Sequence, residues 1–167
     1  LKDILLCGYS PGGNIVLNAA ARANDLNLVR AVAAVSPSVD LHLCVNAIER
    51  RENQLYQQWF LRTLKEKIKA KAATHPHLYD ASLLSQVKSI RDFDQIYTAP
   101  SGGYGTADNY YWQASSCRWL SAINVPTLII AAKDDPIVPF ESFQTDEFAN
   151  ANLTVLATSH GGHGGFL

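Results

Sequence analysis

Immediately after the apolar run Ile4-Leu5-Leu6-Cys7 the chain reads Gly8-Tyr9-Ser10-Pro11-Gly12-Gly13. A G-x-S-x-G pattern has a physical rationale only at a sharp turn from a strand into a helix. There the glycines let the backbone fold tightly and lift the serine hydroxyl clear of a sheet. Both flanks meet that requirement. The run before Gly8 has the length and composition of a strand buried on both faces of a parallel sheet. Residues 12–22 follow as a helix, with Ile15, Val16, Ala19 and Ala20 expected on its buried side.

Further strands lie downstream. Residues 29–35 (Val-Arg-Ala-Val-Ala-Ala-Val) are stopped by Ser36-Pro37, residues 126–132 form a third strand and 153–157 a fourth. A short helical stretch is expected over 140–148. Apolar strands alternating with helices predict a parallel, doubly wound α/β sheet. Between the two halves, residues 40–120 are more polar and mostly helical. Leu55, Tyr56, Trp59, Phe60, Leu64 and Ile68 recur at helical spacing, which predicts an amphipathic helix over 54–71. Lys65, Lys67, Lys69 and Lys71 alternate by two, so on a helix they scatter into a solvated surface rather than a patch. His75-Pro76 ends that helix, and residues 82–91 are expected to form another. Ser101-Gly102-Gly103-Tyr104-Gly105 reads as a loop without the Gly-Lys-Ser/Thr of a phosphate site. The chain divides as one incomplete domain: 1–39 for the serine turn and its neighbours, 40–120 for the helical insertion, 121–167 for the last strands and loops. It holds no methionine and stops at Gly164-Gly165-Phe166-Leu167, so both ends are expected to be cut from a longer protein.

A serine hydroxyl needs a base to take its proton, and the base needs an anion to hold its tautomer. Behind a strand–serine–helix turn the expected chain order is serine, acid, histidine. Asp134-Asp135-Pro136 follows the third strand directly, and adjacent aspartates point in different directions. Asp135 is the preferred acid, because the residue before proline is held extended at the start of the turn. Asp134 then reads as a loop or helix-capping residue, and Asp40, after the second strand, is a rival on chain order alone. After the last strand comes Ser159-His160-Gly161-Gly162-His163-Gly164-Gly165, two histidines among four glycines. The glycines free the backbone to place an imidazole at a set point. His163, deeper in the loop, is the preferred base and His160 the alternative; His42, His75 and His77 fit no role and are expected in solvent.

Composition excludes other classes. The 167 residues are 47% hydrophobic and 17% charged with a formal net charge of −1, against the basic excess of a nucleic-acid binder. No apolar run reaches the roughly 18–20 residues that span a bilayer, and the first residues do not have the charged-then-apolar pattern of a secretory leader, which says little about a longer parent protein. Membrane association stays open. Cys7, Cys44 and Cys117 are odd in number and widely spaced, as for reduced, buried thiols of a cytoplasmic protein. A zinc site from His160, His163 and Asp134 or Asp135 lacks any ligand pair at helical spacing. No metal or cofactor is expected.

The run from Gly8 to Asn14 resembles the serine turn of the YheT-like group of α/β hydrolases, AB hydrolase family 4. The likeness continues in Phe93-Asp94, Thr98-Ala99-Pro100, Gly103-Tyr104 and Tyr110-Tyr111, which look like that family's cap. It resumes in Pro126-Thr127-Leu128-Ile129, Asp134-Asp135-Pro136 and His160-Gly161-Gly162-His163-Gly164-Gly165-Phe166. The resemblance implies the C-terminal half of an α/β-hydrolase fold with a helical cap insertion. It places a catalytic triad on Ser10, Asp135 and His163, in agreement with the residue-level choice. It further implies hydrolysis of carboxylic esters, or acyl transfer from an ester or thioester, on small lipid-like or medium-chain substrates. Trp59, Phe60, Tyr104, Tyr110, Tyr111 and Trp112 are read first as packing and second as an acyl pocket.

Position 11 departs from that family. The residue after the nucleophile normally gives its backbone N–H to the oxyanion, and Pro11 has none, although proline suits the first turn of a helix. Three consequences are open: Gly12 or Gly13 donates instead, a reactive leaving group makes a weak oxyanion site sufficient, or the scaffold binds acyl ligands without turning them over. The second usual donor lies upstream of residue 1. The isolated chain, with an open strand edge as well, is therefore expected to be inactive.

Overall fold

A computed structural model of the chain describes residues 3–22 and 28–166. Four strands form one all-parallel sheet in the order β1 (Ile4–Tyr9), β2 (Val29–Val35), β3 (Thr127–Ala132) and β4 (Leu153–Thr158). The helix α1 (Pro11–Arg22) joins β1 to β2 and packs against both. Leu17, Ala34 and Ile129 are fully buried in this core. The chain forms two compact units, Leu1–Cys44 with Ala114–Leu167, and Val45–Gln113. The first holds the sheet, α1 and every residue singled out above as a candidate acid, base or nucleophile. Leu167, the end of the glycine-rich tail, lies outside the described residues.

The buried side of α1 is not the one expected. Gly13, Asn14, Leu17 and Ala21 face inward, while Ile15 is 65% exposed. Inward positions repeat every three to four residues from Gly13, because the tight turn at Ser10 sets the phase of the helix. The strand β1 is also buried less than its apolar run suggests. It is an edge strand, and Leu5 (75% exposed), Cys7 and Tyr9 alternate outward. Across the register the open row continues to Leu128 opposite Ala33 and Leu156 opposite Ile130. Cys7 is therefore exposed rather than buried. Cys44 is buried, which pushes its thiol up to about 12, and half-buried Cys117 is pushed by burial to about 11.

The unit Val45–Gln113 carries helices and no strand among the described residues. The helix α2 (Leu41–Ile48) runs across the boundary between units, and α3 (Gln54–Thr74) follows. Leu61 and Ile68 are the buried residues of α3, whereas Leu55, Tyr56 and Trp59 are exposed, so the expected apolar face is only half correct. Lys67, Lys69 and Lys71 are solvated, while Lys65 donates to the Val87 carbonyl at 2.6 Å. The helix expected over 82–91 is two pieces. A 3-10 turn over Ala81–Gln86 stops at extended Val87, and α4 (Ile90–Phe93) starts afresh with a capping box from Ser89 and Asp92. A π-turn over Asp94–Thr98 leads into α5 (Ala99–Ser101), so Ser101 belongs to a helix and the loop begins at Gly102. In α6 (Ala107–Ala114) Tyr111 is buried and donates its hydroxyl to Asp94 Oδ2 at 2.8 Å, and Tyr104, Tyr110 and Tyr111 pack ring to ring. These tyrosines pack within the helical unit. Residues 140–148 form two 3-10 turns, Phe140–Phe143 and Asp146–Ala149, instead of one helix. His75 and His77 are exposed, but His42 is half-buried. No helix among the described residues is long and apolar enough to cross a membrane.

The glycines of the serine turn are not equivalent. A Cβ on Gly8 would stand 2.3 Å from the Gly12 carbonyl oxygen, and one on Gly13 would stand 2.8 Å from the Pro37 side chain. A Cβ on Gly12 meets nothing within 4 Å. The steric need therefore lies at Gly8 and Gly13, and the second glycine of the motif is spare. Gly8→Ala is expected to cost about 1–3 kcal/mol or more through overpacking, whereas Gly12→Ala should leave stability unchanged or slightly raised. Urea midpoints of the two variants in the full-length protein check this; equal losses would contradict it.

Candidate active site

Ser10 sits where β1 ends and α1 begins, with a left-handed φ of 51°. A non-glycine residue there is strained, and the surrounding hydrogen bonds hold it. Its N–H donates to the Val35 carbonyl at 2.9 Å, and its own carbonyl accepts from Asn14 and Ser38, each at 3.2 Å. The turn is thereby fastened to β2 and to the segment after it. Buried Asn14 fastens it to a third place: its Nδ2 donates to the Ala114 carbonyl and its Oδ1 accepts from Ser116 N–H, both at 2.8 Å.

The acid stands on the turn after β3. Asp135 Oδ1 accepts the N–H groups of Ile137 at 2.8 Å and Val138 at 3.0 Å, a local arrangement that fixes the carboxylate plane. Its other oxygen, Oδ2, lies 2.9 Å from His163 Nδ1, and the Asp135 side chain is only 2% exposed. His163 Nε2 lies 2.8 Å from Ser10 Oγ. A carboxylate oxygen only accepts, so the proton sits on Nδ1 and leaves Nε2 as acceptor for the serine hydroxyl. The structure thus brings Ser10, His163 and Asp135 into one hydrogen-bonded line. Such a line can draw a proton off the hydroxyl while the buried carboxylate holds the imidazole and balances the charge it gains.

The rival candidates are placed elsewhere. Asp40 Oδ1 accepts Leu43 N–H at 3.0 Å at the start of α2. His160 is 91% exposed on its side chain and lies 3.4 Å from Asp134, not beside Ser10. Asp134 caps no helix. Its Oδ1 accepts Gly162 N–H at 2.9 Å, and that bond holds the carboxyl below the usual carboxylate range. The two histidines and two aspartates therefore form two separate pairs, and no group of three or more metal-ligating side chains occurs among the described residues. Sequence reasoning missed the part played by Asn14, whose partners Ala114 and Ser116 lie about a hundred positions away, and the steric reason for Gly13, which it weighed only as an N–H donor.

A parallel sheet with a serine at a strained strand-to-helix turn, and acid and histidine on later turns, defines the α/β hydrolases. The family model described as the alpha/beta hydrolase fold matches residues 1–167, and the chain belongs to that family. It is 37% identical over 163 residues to YheT of Escherichia coli (strain K12), covering 96% of this chain and 48% of that protein. It is 32% identical over 168 residues to the phospholipase ABHD3 of Mus musculus, covering 98% and 40%. The chain thus spans less than half the length of these relatives. An esterase of Pyrococcus furiosus superposes with a TM-score of 0.50 over 95% of this chain and 45% of its own; at 14% identity that likeness concerns the fold alone.

Proposed function

We propose that the protein to which this chain belongs is a serine hydrolase of carboxylic esters, working through a Ser10–His163–Asp135 triad and an acyl-enzyme. The observation that carries this is the continuous line from Ser10 Oγ through the His163 ring to the buried Asp135 carboxylate, at 2.8 and 2.9 Å. Ser10 Oγ attacks the ester carbonyl as His163 Nε2 takes its proton. His163 then gives that proton to the departing alkoxide, leaving the acyl group on Ser10. Water, activated by the same nitrogen, releases the acid and restores the serine. An alcohol in place of water makes the same site an acyltransferase. The relative named a phospholipase supports a lipid-like acyl ester as substrate class.

Pro11 favours a second reading. With no N–H after the nucleophile, one oxyanion donor is missing, and the protein is then a slow hydrolase or an acyl-binding scaffold. Labelling of the full-length protein with a fluorophosphonate, followed by peptide mapping, tests the main proposal. The label is expected on Ser10 and absent from Ser10→Ala. A label that persists in Ser10→Ala, or its absence from the wild-type protein, overturns it.

A further inference from the structure

The loop that carries His163 has little to hold it. Gly161, Gly162, Gly164 and Gly165 surround the histidine, and Gly161 and Gly162 both have positive φ, 153° and 52°. Each glycine adds backbone freedom that must be removed to keep the imidazole in place. Three contacts remove it. Gly165 N–H closes onto the Gly161 carbonyl at 2.8 Å. The Phe166 ring covers Gly161 so closely that a Cβ there would stand 2.8 Å from it. Gly162 N–H, one residue before His163, donates to Asp134 Oδ1 at 2.9 Å.

We propose that Asp134 is a positioning residue for the base: it holds the backbone at Gly162 while its neighbour Asp135 holds the ring. This rests on the serine-hydrolase reading above. The two carboxylates are consecutive on one turn, and that turn is itself rigid. Lys133 N–H donates to the Thr158 carbonyl at 2.9 Å, tying it to β4, and Asp135 Oδ1 takes two N–H groups within it. A single short segment therefore fixes His163 at two points, the pivot of its loop and the tip of its ring. The two fixings differ in kind. The bond between Nε2 and Ser10 is given up when the serine attacks, and the bond between Nδ1 and Asp135 changes character as the ring gains charge. The bond at Gly162 is untouched by the proton transfers, so it keeps the imidazole in register between acylation and deacylation. His160, exposed and at 3.4 Å, adds little to it. The Gly162 N–H holds the Asp134 carboxyl below the usual carboxylate range, as expected of an oxygen that accepts this bond in place.

The test is kinetic, in the full-length protein with p-nitrophenyl butyrate. Misplacing a catalytic group by about 1 Å costs on the order of 100-fold. Asp134→Ala is therefore expected to lower kcat by about 10- to 100-fold with KM unchanged. Asp134→Asn keeps an oxygen for the Gly162 N–H and should stay within about threefold of wild type, as should His160→Ala. The proposal is overturned if Asp134→Ala stays within threefold, or if Asp134→Asn falls as far as Asp134→Ala, which would make charge rather than the Gly162 bond the relevant property. Ser10→Ala separates the two levels. If it retains activity the serine-hydrolase reading itself has failed; if it is dead while Asp134→Ala is normal, only the positioning role is lost.

Discussion

Asp135→Asn is expected to lower turnover by about 10,000-fold while leaving the protein folded. The size follows from how Asp135 spends its two oxygens. Oδ1 faces two donors, the N–H groups of Ile137 and Val138. An asparagine must turn its carbonyl oxygen to that side, because its NH2 group there would meet two N–H groups with no acceptor. The NH2 is then forced to the other side, 2.9 Å from His163 Nδ1. A ring nitrogen facing a donor must be the bare one, so the imidazole proton moves to Nε2 and points at Ser10 Oγ. The base is lost with no side chain displaced. Since the turn keeps both backbone hydrogen bonds, the melting temperature and KM should stay near wild type. The check is kcat with p-nitrophenyl butyrate beside a thermal melt in the full-length protein. A fall of less than tenfold with the fold intact would remove Asp135 from the mechanism.

How much of this was legible beforehand depends on the range of the interaction. The serine turn was visible because its requirements are local: an apolar run, small residues at fixed offsets and a helix start. Chain order then pointed to an acid and a histidine on loops that the fold brings into one hydrogen-bonded line with Ser10, and proline after Asp135 separated it from Asp134. The role of Asp134 was not legible. It depends on a hydrogen bond to Gly162, twenty-eight positions away, that no spacing encodes. Periodicity had a different weakness. It groups residues that share a face but does not say which face finds a partner. On α1 the apolar Ile15 faces outward while polar Asn14 is buried, and on α3 Leu55 and Trp59 face outward while Leu61 is buried. The helix expected over 82–91 failed at Val87, where the backbone extends and Ser89 supplies a stronger helix start than continuation would.

Pro11→Leu is expected to raise turnover by about 100- to 1000-fold, the value of one oxyanion donor. As the tetrahedral intermediate forms, negative charge gathers on the former carbonyl oxygen beside Ser10. In this fold the N–H of the next residue points at that oxygen, and at Pro11 the ring nitrogen carries no hydrogen. Proline is well suited to this place on other grounds: its fixed φ matches the first turn of α1, and no intrahelical hydrogen bond is forfeited there. The substitution should therefore cost at most about 1 kcal/mol of stability, and Pro11 is exposed, so a leucine has room. Sequence and site are then in opposition at one residue, with the helix favouring proline and the oxyanion needing an N–H. Gly12 and Gly13 carry the next N–H groups at the start of α1, where a helix has no internal acceptors to offer them. If one of them already serves the oxyanion, Pro11→Leu will change kcat less than threefold and the wild-type protein is a fully equipped esterase with a shifted donor. If kcat rises by two orders of magnitude, and Ser10→Ala abolishes the gain, proline has been holding an otherwise complete triad in check.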